Sequence, residues 1–313
     1  MPEAPLPPSP PAWRTLLLGG ALGNLAGAGA VFTAAMLKDQ PGLGMSVAAL
    51  NIGLIPALIG LVAAWCWRRL PLTRGGLLLL SLWLAAVGLG AAVVVFREGI
   101  VCLLIAAPLH FGVILLALVT GHRLFSDQKG KVRVTVLPLA AFLALAEARF
   151  APPPAPAIFT DELRIAAPPA KVWPHVVSFA PISAPADFWV FRLGLPYPIE
   201  TPPGADAVGR ERLCIFSGGV VFRERVVVFD PGRRLVFDII EQPRDPELLG
   251  HLDTHRGEFE LRDEGDGTTT LIGRSTYTLH TRPRWYFDWW THYLGRAVHL
   301  RVLENVRRLA ESR

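Results

Sequence analysis

The segment RWYFDWWTHYLGRAVHLRVLENVRRLAES, residues 284–312, decides the fold of the second half of this chain. Its apolar residues recur at steps of three and four, which is the spacing of one face of an α-helix. They are Phe287, Trp290, Leu294, Val298, Val302, Val306 and Leu309. Charged residues such as Arg296, Glu304 and Arg308 fall elsewhere around the helix. The pattern predicts a long amphipathic helix that buries one face against another element.

The sequence upstream of this helix alternates between apolar and polar residues in short runs separated by turn formers. Such alternation predicts half-buried strands. We expect them at about 159–166, 208–216, 219–229, 234–241, 255–262 and 268–279. Two short helical stretches are expected, at about 170–179 and around Phe188. This order predicts a helix-grip α+β domain, in which a curved antiparallel sheet wraps around the long C-terminal helix and leaves an apolar cavity between them.

Three segments of this domain resemble the SRPBCC superfamily, which includes START-like, polyketide cyclase/dehydrase and plant-allergen-like proteins. They are RIAAPPAKVWPHVVSFAPI (164–182), VVVFDPGRRLVFDI (226–239) and WYFDWWTHYLGRAVHLRVLENV (285–306). The resemblance covers about 159–312 and implies the helix-grip fold. Members include lipid carriers, hormone receptors, cyclases and regulators, so the fold alone does not set the activity. The fusion to membrane helices is similar to that of uncharacterised bacterial members.

The first half of the chain is almost uncharged, with only seven charged residues between Leu16 and Val119. Its apolar runs are about 20 residues long, enough to cross a bilayer. Four spans are expected at about 15–37, 46–66, 77–96 and 99–120, and a weaker fifth at about 134–149. The first run continues past the signal-like Ala28-Gly29-Ala30, so we expect an uncleaved helix.

These patterns divide the chain into four parts. They are a disordered Pro-rich N-terminus at 1–14, a transmembrane domain of four or five helices at 15–150, a Pro-rich linker at 151–158 and the helix-grip domain at 159–313. Residues 1–150 carry 11 Lys/Arg against 5 Asp/Glu, whereas the rest carries 20 against 21. The positive charge therefore belongs to the loops beside the membrane, and no nucleic-acid groove is expected.

Basic residues concentrate in the second and fourth loops. The positive-inside rule therefore predicts that those loops and the N-terminus face the cytoplasm. The membrane is expected to be a bacterial inner membrane. The helix-grip domain is then extracytoplasmic if 134–149 spans the bilayer, and cytoplasmic if that segment lies flat. Gly19, Gly23 and Gly27 form a small-residue stripe on the first helix. The stripe fits close packing within the bundle or a homodimer interface. His110 is the ionisable residue well inside a span, and fits a structural hydrogen bond or a proton relay.

Strand alternation selects a set of polar residues expected to face the terminal helix. They are Glu224, His255, Ser275 and Tyr277, together with Arg212 and Cys214. A Glu224–Arg212 pair across neighbouring strands would satisfy both groups structurally, and a ligand-orienting role is the alternative. At the start of the terminal helix, Trp290 and Tyr293 belong to an aromatic cluster that either walls the cavity or faces the membrane. These eight residues are the candidate ligand-cavity residues.

The remaining motifs give weaker indications of function. His251, Asp253 and His255 alternate in an extended segment, but no fourth ligand follows and no metal is expected. His292 and His299, seven residues apart on the terminal helix, fit a polar rim or acid–base chemistry. There is no Gly-rich phosphate loop, nucleophile elbow or CxxC motif, so no cofactor is expected and no catalytic residue is assigned. Three cysteines make no disulfide framework.

Three functions fit the sequence. The favoured one is a membrane-anchored module that binds a lipid or other hydrophobic small molecule between the sheet and the terminal helix. The second is a cyclase- or hydrolase-type enzyme with Glu224 or His255 as general base. The third is a structural or regulatory membrane protein whose helix-grip domain docks a partner through an exposed apolar patch.

Overall fold

The computed structural model describes residues 11–37, 53–126, 155–248 and 251–312. The chain forms two compact units, one containing most of the apolar helices and one containing the sheet. The expected fifth span at 134–149 and most of the Pro-rich linker lie outside the described residues.

The described part of the N-terminal half is helical. Its helices are α1 (Ala12–Leu37), α2 (Ile55–Trp67), α3 (Arg74–Ala91) and α4 (Ile100–Ser126). A π-helical segment, Ala92–Phe96, continues α3. Three stretches are long and apolar enough to cross a membrane: Ala12–Thr33, Arg74–Val95 and Ile100–Ser126. These helices support membrane association of the chain.

The glycine stripe of α1 packs against α2. A Cβ atom on Gly23 would lie 2.8 Å from the carbonyl oxygen of Ile59, and one on Gly27 would lie 2.7 Å from the Ile59 Cγ1. Gly19 is in the same way covered by Trp67, whose indole Nε1 donates to the Thr15 carbonyl oxygen at 3.0 Å. Side chains at these positions would hold the helices apart, so the stripe serves packing within the bundle.

The C-terminal half has the predicted helix-grip fold. Its strands are β1 (Ala157–Ile165), β2 (Pro198–Glu200), β3 (Glu211–Phe216), β4 (Val221–Asp230), β5 (Arg234–Glu241), β6 (Leu252–Asp263) and β7 (Thr269–Leu279). They form one antiparallel sheet in the order β1-β7-β6-β5-β4-β3-β2. The helices are α5 (Pro169–Val177) and the long α6 (Arg284–Glu311). The sequence predicted this architecture, apart from the short edge strand β2.

The helix α6 lies against β1 and β7, and glycine allows the close approach. A Cβ atom on Gly295 would lie only 2.7 Å from the Phe159 ring, whereas one on Gly273 would make an ordinary van der Waals contact with Leu303 at 3.5 Å. Below this contact the apolar faces of α5, α6 and the sheet share one core. Its fully buried members include Ile165, Val172, Val176, Val226, Leu235, Leu271, Leu303 and Val306. Helix and sheet thus enclose the inner face on which the candidate residues were placed.

Two of the register shifts in the sheet are β-bulges at positions where the sequence predictions relied on alternation. One lies between Val226 and Val228 of β4, where the register against β5 shifts by one residue. Alternation continued from Glu224 and Val226 would place Val228 inward as well, but its exposure of 36% shows that it faces outward. The other lies between Thr254 and Arg256 of β6. Because a bulge inserts an unpaired residue, side chains beyond it change faces.

Candidate functional site

The strand register sets one row of residues across the inner face of the sheet. Phe159 pairs with Ser275, Ser275 with Gly257, Gly257 with Phe237, and Phe237 with Val226. Directly opposed residues of antiparallel strands share a face. Ser275 therefore lies between Phe159 and the side-chain-free Gly257, over which the Phe237 ring leans. The hydroxyl sits in a largely apolar row.

The predicted pair between Arg212 and Glu224 is present. The two residues are opposite each other on β3 and β4, and the Arg212 guanidinium donates to the Glu224 carboxylate. Their side chains are only 2% and 5% exposed. The Arg212 guanidinium also lies 4.5 Å from the centre of the Phe237 ring. Burial raises the pKa of the Glu224 carboxyl, and Arg212 opposes this rise. Because its carboxylate is paired with Arg212, Glu224 is not placed as a free general base.

Cys214 lies next to this pair on β3 and is buried. Burial, with a smaller contribution from the Glu224 charge, raises the pKa of its thiol to about 12. Only the thiolate reacts with alkylating reagents. At pH 8 a thiol of that pKa is ionised in about one molecule in 10⁴, against about a quarter for an ordinary cysteine.

Cys214 is therefore expected to resist N-ethylmaleimide at pH 8 in the native chain and to react rapidly after denaturation in urea. Peptide mass spectrometry reads Cys214 separately from Cys66 and Cys102. The native reaction should quicken as the pH is raised towards 12 for as long as the fold persists. Rapid native labelling at pH 8 would contradict the buried environment.

A second polar group joins three elements beneath α6. The His299 Nε2 of α6 lies 2.8 Å from the Ser275 Oγ of β7. The other ring nitrogen, Nδ1, lies 3.1 Å from the Asp161 Oδ2 of β1. Because a carboxylate only accepts hydrogen bonds, Nδ1–H donates to Asp161, which leaves Nε2 to accept from the Ser275 hydroxyl. The three side chains form a hydrogen-bonded serine–histidine–aspartate group.

The His299 ring is held from several sides. The Phe159 ring lies 4.5 Å from it, centre to centre. The Asp161 carboxylate also forms an ion pair with Arg296, one turn earlier on α6, at 3.5 Å. Asp161 and His299 side chains are 6% and 13% exposed. The ring orientation is thus fixed by both packing and hydrogen bonding.

Tyr277 is fully buried, and its hydroxyl donates to the Asp288 Oδ1 of α6 at 2.8 Å. Burial and this carboxylate raise the pKa of the phenol. Its ring lies 5.5 Å from that of Phe159. Ser275 and Tyr277 are therefore both brought to the inner face, as the sequence predicted.

His255 does not face the helix. Its Nε2 bonds to the Thr278 Oγ1 at 2.7 Å, and Thr278 follows the inward Tyr277 on the strand, so it points to the outer side. The bulge between Thr254 and Arg256 is the physical reason why the alternation failed here. Nearby, the His280 Nε2 lies 2.7 Å from the Asp253 carboxylate. Within the part of the chain that the structure describes, no three His, Cys, Asp or Glu side chains come together as a metal site.

Aromatic rings form a continuous series of contacts from exposed to buried positions, here called the aromatic track. Trp289 stacks on Tyr293 at 5.8 Å, and Tyr293 lies 5.3 Å from Phe188. Phe188 lies 5.1 Å from Phe191, which lies 5.1 Å from Tyr197. Trp289 is 61% exposed, whereas Phe191 is buried. The track links the start of α6 to the connection between α5 and β2.

Two further tryptophans lie in the same first turns of α6. Trp290 contacts both Trp289 and Tyr293, with ring centres 4.9 and 5.8 Å apart. Trp285 is 74% exposed. An exposed tryptophan beside a tyrosine is typical of surfaces that meet the headgroup layer of a membrane.

Asp161 was not among the residues selected from the sequence, and His299 was left between a polar rim and acid–base chemistry. One signal was available for Asp161. On β1, Phe159, Asp161, Leu163 and Ile165 share a face, so the acid stands at an inward position of an otherwise apolar set. Its partner on α6 depends on how the helix crosses the sheet, which no local pattern encodes.

No protein-family model matches the sequence, and a search of curated proteins returned no match. Solved structures of low identity do align with this half of the chain. A protein from Nitrosospira multiformis is 18% identical, with 50% of this chain and 97% of that one covered and a TM-score of 0.34. The Zhui aromatase/cyclase from a Streptomyces species is 16% identical, with 50% and 94% covered and a TM-score of 0.35. Norcoclaurine synthase from Thalictrum flavum is 12% identical, with 51% and 91% covered and a TM-score of 0.33.

Proposed function

We propose that this protein is a membrane-anchored module that binds a lipid or other hydrophobic small molecule between the sheet and α6. The aromatic track carries the proposal. It begins at the exposed Trp289 and leads through partly buried rings to the buried Phe191, which also contacts the partly buried Tyr197. Aromatic rings offer large apolar contact at little entropic cost, so successive rings suit an apolar ligand passing inward.

The polar groups of the inner face are few and already arranged. Arg212 is already paired with Glu224, and Tyr277 is already bonded to Asp288. A ligand therefore meets mainly Phe159, Phe237 and the track, with Ser275 among them. Such a surface favours an apolar ligand with one polar group over a charged metabolite.

Docking of a protein partner is the second candidate, since exposed Trp285 and Trp289 form an apolar patch at the start of α6. The two functions differ in what stays with the protein. A ligand-binding module retains a stoichiometric lipid or isoprenoid through purification, detected by extraction and mass spectrometry. A docking module is recovered empty and fails to bind a fluorescent fatty acid.

Tyr293→Ala is expected to weaken binding of a fluorescent fatty acid to the full chain in lipid nanodiscs about tenfold. The substitution removes the ring that joins Trp289 to Phe188, and each aromatic contact is worth about 0.5–1.5 kcal/mol. Val208→Ala, which trims an exposed apolar residue elsewhere, is the matched control and should leave the Kd unchanged. Equal affinities for the two variants would remove the track from the binding path.

A further inference from the structure

We propose that Ser275 and His299 are a catalytic nucleophile and base, positioned by Asp161, and that they hydrolyse an ester of a hydrophobic acid. The activity goes beyond ligand binding, and its substrate class rests on the proposed function. The juxtaposition of the three side chains, from β7, α6 and β1, is the observation that carries it.

The geometry meets the requirements of an activated serine. A nucleophile must lie within about 2.6–3.2 Å of its base, and a third group must orient that base. Here the Ser275 Oγ–His299 Nε2 distance is 2.8 Å and the His299 Nδ1–Asp161 Oδ2 distance is 3.1 Å. The same constellation recurs on unrelated folds, and it is recognised by roles rather than by chain order.

Asp161 is more deeply buried than His299 and Ser275. The Asp161 side chain is 6% exposed and that of His299 13%, while Ser275 is only partly buried. The carboxylate that orients His299 is thus shielded from solvent. The Phe159 ring lies against one side of the His299 imidazole and is also in close contact with Gly295. This packing prevents the imidazole from turning away.

The surroundings of Ser275 indicate the acyl part of the substrate. Its neighbours in the row are Phe159 on one side and Gly257 under the Phe237 ring on the other. Neither carries a charge, so a long apolar acyl group fits better than a short or ionic one. The missing side chain at Gly257 lets the Phe237 ring approach the backbone on that side of Ser275.

The reaction runs in two balanced steps. The Ser275 Oγ bonds to the ester carbonyl carbon while its proton passes to His299 Nε2. The bond from that carbon to the alkoxy oxygen then breaks, and the leaving alcohol takes this proton. In the second step water attacks the acyl carbon and gives one proton to Nε2, the bond to Oγ breaks, and Oγ recovers the proton. Carboxylic acid and alcohol leave, with no change of oxidation state.

The test uses the full chain in lipid nanodiscs. A fluorophosphonate reagent, which labels activated serines, is expected to modify Ser275, as mapped by peptide mass spectrometry. Hydrolysis of p-nitrophenyl esters should be faster for the decanoate than for the acetate. Ser275→Ala and His299→Gln should each lower kcat/KM at least about 100-fold. Thr276→Ala, which removes the adjacent outward hydroxyl, should change neither labelling nor rate.

Two outcomes separate this proposal from the function on which it rests. An unlabelled Ser275, with fatty-acid binding intact, would show that the three residues are only a structural network and would leave ligand binding standing. Labelling of Ser275 without fatty-acid binding would support the nucleophile and overturn the substrate class. Labelling of the wild-type chain needs no variant, so a variant that fails to fold does not obscure the result.

Discussion

Replacement of Glu224 by Ala is expected to lower the free energy of unfolding by about 3–5 kcal/mol, because it leaves the buried Arg212 guanidinium without its counter-charge. Arg212 is 2% exposed, so water does not replace the lost carboxylate. The Phe237 ring, 4.5 Å away, compensates only in part. Urea unfolding followed by tryptophan fluorescence measures the loss.

A neighbouring pair supplies the control. Glu211 and Arg223 also form an ion pair between β3 and β4, at 2.7 Å, but both are largely exposed. Exposed pairs are worth about 0–1 kcal/mol, so Glu211→Ala should cost little. The double change Arg212→Met with Glu224→Leu removes both charges and should recover most of the stability. Equal losses for Glu224→Ala and Glu211→Ala would contradict the burial of the inner pair.

Leu303→Ala is expected to cost about 2–5 kcal/mol, which is the range for removing a buried leucine side chain. Leu303 is fully buried on α6, and it lies against β7 at Gly273, which has no side chain to fill the gap. The cavity would lie one turn from His299, between helix and sheet. Leu294→Ala, at a partly exposed position of the same helix, should cost clearly less.

The Leu303→Ala variant also tests whether a cavity between α6 and the sheet takes up small apolar molecules. A cavity lined by apolar groups stays dry and takes up small apolar molecules. Leu303→Ala should therefore bind benzene or xenon and gain stability in their presence, as seen by a raised Tm. A loss of stability as small as that of Leu294→Ala would mean that α6 packs more loosely on β7 than its buried contacts indicate.

The fold was largely predictable from the sequence because its elements obey local rules. Alternation located the strands from β3 to β7, and turn formers such as Pro231-Gly232 separated them. The three- and four-residue repeat located α6 almost to the residue. The Glu224–Arg212 pair was predictable from the same alternation, since both are inward and polar on adjoining strands.

The wrong predictions for Val228 and His255 have the same physical cause, which is a shift in the strand register. Val228 and His255 lie at bulges, where one extra residue reverses the faces of the residues beyond it. A single sequence does not indicate where a bulge occurs. The short strand β2 was missed because three residues carry too little alternation.

The serine–histidine–aspartate group was out of reach for a different reason. Asp161, Ser275 and His299 belong to three elements, and their distances depend on the crossing of α6 over β1 and β7. Sequence patterns report which face a residue occupies, and here they placed Ser275 inward. They do not report which residues of two packed elements meet.

The strand order also determines when the domain can be completed. Strand β1 comes first in this half of the chain but pairs only with β7, so that Thr160 lies opposite Arg274, 274 − 160 = 114 residues later. Pairings over such separations are slow, since a long loop must close first. During synthesis β1 therefore stays unpaired until β7 has emerged from the ribosome. We expect the interior of the domain to stay open until β7 and α6 are both available and then to close in one event, which would enclose a ligand of the kind proposed above.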